Sequence, residues 1–132
     1  MQLIDWNDTT TSGRGRTGAR YTIAKIGAAW AVSVDGDVVC AAPNAAKSVD
    51  RAEALEALKH IVTGRARELD ISSLKRAGLI AAEMKKASEI LLEDAELPDT
   101  ERDAALAYSE HLGMLLVTIH QQALRRTAQP LN

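Results

Sequence analysis

The chain contains no phenylalanine, and its aromatic residues are two tryptophans and two tyrosines, Trp6, Tyr21, Trp30 and Tyr108. Because large rings are so scarce, the core has to be built mainly from leucine, isoleucine, valine and alanine, and small side chains let helices approach closely. Alanine is frequent from Ala52 onward, where glycine is rare. The high helix propensity of alanine therefore predicts a helical second half.

Cysteine is almost absent as well. Cys40 is the one cysteine, so an intramolecular disulfide and a cysteine-rich metal site are excluded, and a reducing compartment is expected. The apolar runs fall far short of the roughly 20 residues that span a bilayer. The first ten residues, MQLIDWNDTT, lack the basic and apolar regions of a secretion signal. The sequence therefore predicts a cytoplasmic protein with no membrane partner.

Neither sign of charge is in large excess, because 16 basic and 18 acidic residues give a net charge of −2. Such a balance creates no general field that would attract nucleic acid or an anionic membrane, so any contact of that kind must depend on a local patch. The length of 132 residues and the 46% hydrophobic content are typical of one globular domain.

Strand patterns occupy the first third of the chain. Apolar residues alternate with polar ones in residues 20–23 and 30–34, and residues 38–40 form a third apolar run. Asp35-Gly36 lies between two of these runs and predicts a two-residue hairpin turn, which needs positive φ at its centre. Residues 3–6 can add an edge strand, so we expect three to four antiparallel strands.

Three helices are predicted after Pro43. Asp50 to Glu53 has the form of a capping box, which would place the start of the first helix at Asp50. Its apolar stripe extends to Leu69, although Gly64 favours an earlier end near residue 63. The second helix is expected from about Ser72 to Glu93 and the third from about Thr100 to Arg126, after the break at Pro98.

Together these elements predict an α+β fold. An N-terminal antiparallel sheet of three to four strands packs on a helix, and a C-terminal antiparallel helical hairpin follows. Residues 1–69 would hold the β-meander and first helix, and residues 70–132 the hairpin. The hairpin either packs on the first segment as one unit or forms a dimer interface. Residues 127–132 are expected to be frayed.

Gly13, Gly15 and Gly18 have the spacing G-x-G-x-x-G of a dinucleotide fingerprint. That motif requires a strand before the glycines and a helix after them, because the helix N-terminus holds the pyrophosphate. Here a polar stretch precedes the glycines and a strand follows, so the match is interpreted as accidental.

The same stretch is expected to be a flexible loop that carries three arginines. These side chains suit contact with a phosphate backbone or with an acidic protein face, and a solvated loop remains the alternative. The arginines are Arg14, Arg16 and Arg20.

No group of residues has the spacing of a catalytic or metal site. His111 and His120 are nine positions apart and therefore point to nearly opposite sides of a helix. Glu56 and His60 have the spacing of a pair on a helix surface. Cys40, in a strand, is interpreted as a packing residue. We therefore expect no catalytic, cofactor-binding or metal-binding residues, and no enzyme activity.

Six carboxylates crowd into eleven residues around the turn between the last two helices. A calcium loop is excluded because Pro98 interrupts the stretch and it has no glycine. Acidic residues there stabilise a helix N-terminus, and an exposed acidic tip would also suit docking on a basic partner. The six are Glu93, Asp94, Glu96, Asp99, Glu101 and Asp103.

The third helix carries more apolar surface than one neighbouring helix can cover. Its second apolar stripe consists of Leu106, Gly113, Val117 and Leu124. This stripe meets either the rest of the subunit or another chain, and self-association as a homodimer is the favoured prediction.

The N-terminal half resembles a small domain of uncharacterised phage and prophage proteins. The shared features are a strand with Trp6, a Gly-x-x-Tyr-x-Ile strand, a Trp-x-Val strand and an alanine-rich helix from Asp50. The matching positions are Trp6, Gly18, Tyr21, Ile23, Trp30 and Val32. The resemblance covers about half of the chain. It implies an accessory protein of a phage or mobile element, located in the host cytoplasm, and it carries over no catalytic residues.

Two functions remain open from the sequence. The first is a non-catalytic protein that binds a host or phage protein complex, such as an anti-CRISPR or another anti-defence inhibitor. The alternative is a nucleic-acid-binding accessory protein that uses Arg14, Arg16 and Arg20.

Overall fold

The structure, a computed structural model, describes residues 2–128 and has an α+β fold. Its strands are β1 (Ile4–Trp6), β2 (Ser12–Gly15), β3 (Arg20–Ile26), β4 (Ala29–Val34) and β5 (Asp37–Ala42). Its α-helices are α1 (Ala45–Val62), α2 (Ile71–Leu92) and α3 (Asp99–Ala128), and a single 3-10 turn (Ala66–Glu68) joins α1 to α2. Residues 129–132 lie outside the described residues. They belong to the predicted segment 70–132 and make up most of the end that was expected to be frayed, residues 127–132.

The sheet has five strands in the order β1-β2-β3-β4-β5, and every neighbouring pair is antiparallel. The prediction of three to four strands was therefore one short. The missed strand is β2, which lies in the glycine-rich stretch that was expected to be a loop. Asn7 turns the chain back into β2, since its side-chain oxygen accepts hydrogen bonds from the N–H of Thr11 and, at 3.3 Å, of Ser12.

The hairpin turn between β4 and β5 is confirmed at Asp35-Gly36. Both residues have positive φ, 51° and 91°, as a two-residue turn of this hand requires. The pairing of β4 with β5 then shifts between Val32 and Ser33, which leaves Val39 as a bulge.

Helix α1 begins five residues before the predicted start. The side chain of Asn44 caps it by accepting a hydrogen bond from the N–H of Lys47. The predicted capping box is therefore wrong, and Glu53 has a different partner. Its carboxylate accepts hydrogen bonds from the backbone N–H groups of Leu3 and Ile4, at 2.7 and 3.1 Å. Helix α1 thus holds the first strand of the sheet.

Helix α1 lies between the sheet and the other two helices. On one side Ala52 packs in a cluster with Tyr21 and Val32 of the sheet. On the other side Ala54 and Leu58 belong to a cluster with core residues of α2 and α3. Helices α2 and α3 run antiparallel, because Gly78 lies beside Ile119 and Gly113 beside Lys85. Among residues 2–128, no helix combines the length and the apolar character needed to cross a bilayer.

Candidate functional site

A buried carboxylate joins α1 to the connection between β2 and β3. Glu56 is 0% exposed, and its Oε1 accepts a hydrogen bond from the backbone N–H of Thr17 at 2.8 Å. The Thr17 hydroxyl also donates to this carboxylate. On the sheet, the Tyr21 hydroxyl donates to Oε2 at 2.8 Å. Burial and the neighbouring Glu56 carboxylate raise the pKa of Tyr21, so it stays a donor.

His60 continues this network towards the surface. Its Nε2 lies 3.6 Å from Glu56 Oε1, and its Nδ1 lies 2.9 Å from Glu68 Oε2. Neither ring nitrogen has an aligned hydrogen bond within the described part of the chain. Hydrogen bonding from Arg65 holds the pKa of the Glu68 carboxyl below its usual range. The prediction of a surface pair at Glu56 and His60 is wrong, since both side chains are 0% exposed.

The sequence missed this network because its members are far apart in the chain. One signal was available: Glu53, Glu56 and His60 follow each other at spacings of three and four, which places them on one face of α1. Neither Glu56 nor His60 lines any of the clefts described below. We therefore interpret the network as an internal tie between helix and sheet.

Packing accounts for the spacing of the glycines. A Cβ atom on Gly15 would overlap the Glu56 carboxylate, so only glycine fits at that position. Gly18 has φ +94° in the turn before β3, a conformation that other residues rarely adopt. A Cβ atom on Gly13 would lie 2.7 Å from the Asp5 carbonyl oxygen of β1. Each glycine therefore meets a local requirement of the sheet, which agrees with the interpretation of the G-x-G-x-x-G match as accidental.

The structure brings two of the three arginines together. Arg14 of β2 pairs directly with Arg20 of β3, on the face of the sheet opposite to α1. Asp5 of β1 lies on the other side of Arg14 in the same row. Arg16 follows β2, and its guanidinium lies 3.4 Å from the carbonyl oxygen of Gln2. Gln2, Asp5, Arg14 and Arg16 border one cleft at this edge.

The six carboxylates of the predicted acidic tip lie around the turn from α2 to α3, and all six residues are exposed. Arg102 is at their centre, where its guanidinium donates to the carbonyl oxygens of Leu92 and Asp94 and so closes the turn. Asp99 and Glu101 lie in the first turn of α3, where negative charge stabilises a helix. Docking of a basic partner here stays a prediction.

The predicted second stripe of α3 lies on the outside of the molecule. Leu106, Val117 and Leu124 are 47%, 57% and 54% exposed. Gly113 lies between them and borders Lys85 of α2. We call these four residues the α3 stripe.

A groove of about 770 Å³ separates β5 from helices α2 and α3. Residues Val39 to Pro43 form one wall, and Ala87, Leu91 and Ala104 contribute to the other. We call this cleft the β5 groove. Cys40 and Tyr108, both partly buried, also line it, and burial raises the pKa of the Cys40 thiol to about 11. At neutral pH this thiol is therefore protonated and a weak nucleophile.

A third cleft, lined by Arg67, Arg125 and Arg126, lies where the end of α3 meets the turn after α1. Within residues 2–128, no three His, Cys, Asp or Glu side chains come close enough together to hold a metal ion. Comparisons of the chain with protein-family models, with curated proteins and with solved structures find no match.

Proposed function

We propose that this protein is a non-catalytic binding protein that acts by contact with other polypeptide. One observation carries the proposal: Leu106, Val117 and Leu124 of the α3 stripe stay exposed although α3 already packs against α2 through its other face. Apolar side chains that repeat along one exposed helix face mark a surface made for another protein.

The first occupant of the α3 stripe is a second copy of this chain. Leu106 and Leu124 are each nine positions from Leu115, and Gly113 and Val117 are each two positions from it. The side chain of Leu115 itself lies in the core, but two antiparallel α3 helices with the two-fold axis at its level place Leu106 against Leu124 of the second copy, and Gly113 against Val117. A two-fold interface needs such self-complementarity, because the same surface serves on both sides.

Charge supports the same pairing. The acidic first turn of α3 approaches the end of the other helix, which carries Arg125. Opposite charges at the two ends favour the antiparallel over the parallel arrangement.

Substituting Leu106→Glu together with Val117→Glu is expected to give a monomer that keeps the stability of the wild type, because both side chains are exposed in the subunit. Sedimentation velocity between about 10 µM and about 1 mM, a range suited to weak interfaces, measures the change. The matched control is Val62→Glu with Leu79→Glu, two apolar residues outside the stripe that are more exposed than Leu106 and Val117. We expect the dissociation constant of the dimer to be at least about tenfold higher for the Leu106→Glu, Val117→Glu variant than for the control variant. Equal sedimentation of wild type and stripe variant would contradict the proposal.

The narrower form of the proposal is a host-directed inhibitor, such as an anti-CRISPR or another anti-defence factor of a phage or mobile element. The resemblance of the N-terminal half to phage and prophage domains supports it. The exposed acidic tip gives such a protein a second surface, suited to a basic region of a host or phage complex.

Nucleic-acid binding is a second candidate, favoured by the pairing of Arg14 with Arg20 on the open face of the sheet. Two guanidinium groups of like charge in adjacent positions repel each other; Asp5 offsets part of that repulsion at Arg14, and phosphate groups would offset the rest. Arg14→Ala with Arg20→Ala should then weaken binding to 20-nucleotide duplexes and single strands by at least about tenfold, and reduce the salt dependence. Arg67→Ala with Arg125→Ala is the matched control. If titration of the wild type with these duplexes and single strands at low salt gave no binding signal, nucleic-acid binding would be excluded.

A further inference from the structure

The β5 groove runs along the edge of β5 rather than across a face of the sheet. Val39, Cys40, Ala41, Ala42 and Pro43 line it in unbroken succession. Side chains of a strand alternate between the two faces, so a cleft over one face would touch every second residue. Five consecutive residues therefore mean that the backbone edge itself borders the cleft.

This edge has no neighbouring strand in the described part of the chain. β5 is last in the strand order, and β4 is its one partner. The carbonyl oxygen of Ala41 points away from β4, because it accepts a hydrogen bond from the guanidinium of Arg51. In an antiparallel ladder the N–H and C=O of one residue point to the same side. The N–H of Ala41 is therefore directed to the open edge.

The edge has only part of the usual protection against pairing. Charged side chains and prolines normally interrupt an exposed edge strand. Here Val38 to Ala42 is an uncharged run between Asp37 and Pro43, and the bulge at Val39 and the Arg51 guanidinium on the Ala41 carbonyl are the two features that interrupt its edge. A bound strand would therefore use the N–H of Ala41 and share or displace Arg51 at its carbonyl oxygen. Val38 and Val39 are both exposed.

The facing helices leave space for a further strand. Ala87 of α2 and Ala104 and Ala105 of α3 line the opposite wall, and their short side chains keep the cleft open. Arg51 and Glu101 are the charged residues that line it, and their opposite signs favour no charged ligand. A strand that covers the six residues of β5 would be about 20 Å long.

We propose that the β5 groove binds an extended peptide segment of a partner protein, which adds to the edge of β5 as a sixth strand and directs every second, apolar side chain against α2 and α3. Main-chain hydrogen bonds to the edge would supply affinity, and the alanine-lined wall would select small or medium apolar side chains. This inference rests on the proposed function in one respect, namely that the ligand is a polypeptide. It does not require that the protein forms a dimer.

The test uses the full chain and a library of random hexapeptides with blocked ends. Selected peptides are then measured by fluorescence polarisation against wild type and variants. Ala41→Pro removes the N–H at the open edge, and Ala104→Leu fills the facing wall. The control is Ala107→Leu, an exposed alanine of α3 that does not line the groove. We expect selected peptides to alternate apolar and polar residues, and to bind Ala41→Pro and Ala104→Leu at least about tenfold more weakly than wild type and control.

Cys40 supplies a second readout. Because its thiol has a pKa near 11, alkylation by iodoacetamide at pH 8 should be slow and should accelerate about tenfold for each unit of pH. A saturating peptide covers the groove and should slow the reaction further. Selected peptides that leave this rate unchanged, or that bind Ala41→Pro as well as wild type, would overturn the inference, and so would a library that yields no binder.

Failure of this inference and failure of the proposed function give different results. Peptides that bind Leu106→Glu with Val117→Glu as well as wild type support a groove that works without the dimer. A dimer without peptide binding overturns the sixth strand and leaves the α3 interface standing. Peptide binding by a protein that never dimerises supports the groove and overturns the α3 interface.

Discussion

Replacing Glu56 by leucine is expected to lower the free energy of unfolding by about 3 kcal/mol or more. Leucine removes the acceptor of the Thr17 N–H and the Tyr21 hydroxyl and leaves the first donor part-buried and the second fully buried without a partner. An unpaired buried donor costs about 1–3 kcal/mol. Urea denaturation followed by circular dichroism measures the change.

Glu56→Gln separates hydrogen bonding from charge. Glutamine keeps one oxygen for Thr17, and the Tyr21 hydroxyl can accept from its amide, so the loss should be clearly smaller than with leucine. The matched control is Glu89→Leu on the exposed side of α2, where the carboxylate pairs with Lys85, and a change within about 0.5 kcal/mol is expected. In some proteins, replacing a buried ion by an apolar group leaves stability unchanged or increases it. If Glu56→Leu were as stable as the wild type, the hydrogen bonds of Glu56 would not stabilise the contact between α1 and the sheet, and the prediction would be refuted.

Gly15→Ala is expected to lower the free energy of unfolding by about 1–3 kcal/mol, because the added methyl group meets the Glu56 carboxylate. The physical cause is testable in a double-mutant cycle. In the background Glu56→Ala, the same methyl group enters vacated space and should cost less than about 0.5 kcal/mol. The coupling energy between the two positions would then exceed the roughly 0.5 kcal/mol seen for independent sites. If the effects of Gly15→Ala and Glu56→Ala on the free energy of unfolding were additive, the cost of the added methyl group would not come from contact with the Glu56 carboxylate.

Local signals predicted much of the fold. Asp35-Gly36 specified its turn because positive φ depends on the residues of the turn themselves. The break at Pro98 likewise separated α2 from α3 at the predicted place, because proline interrupts a helix regardless of tertiary contacts. The first strand was also predicted, since its apolar residues alternate.

The errors concern positions that tertiary contacts decide. Two glycines within four residues argued against a strand at β2, yet Gly13 lets β1 lie close to β2 and Gly15 lets α1 approach the sheet. Asp50 to Glu53 matched a capping pattern, whereas the Glu53 carboxylate binds β1, 50 residues away in the chain. Glu56 and His60 were placed on the surface because the apolar stripe of α1 defined one buried side. Helix α1 is covered on two sides, and the periodic apolar stripe in its sequence marks only one of these two buried faces.

The α3 stripe was recognised from the sequence as surplus apolar surface, and in the structure its Leu106, Val117 and Leu124 side chains lie on the surface of the subunit. What covers it stays a prediction, because exposure in one chain identifies a surface and not its occupant. The β5 groove left no such trace. It arises from the juxtaposition of a strand edge with two later helices, and its alanines fit an ordinary helix pattern equally well.

The two carboxylates of α1 have a consequence for synthesis on the ribosome. The strands β1 and β2 are translated before α1, and Glu53 and Glu56, which accept hydrogen bonds from the Leu3, Ile4 and Thr17 amides, follow some 40 to 50 residues later. Until α1 has left the exit tunnel, these three amides have no carboxylate to bind. We therefore expect β1 and β2 to become fully ordered only after α1 has been made.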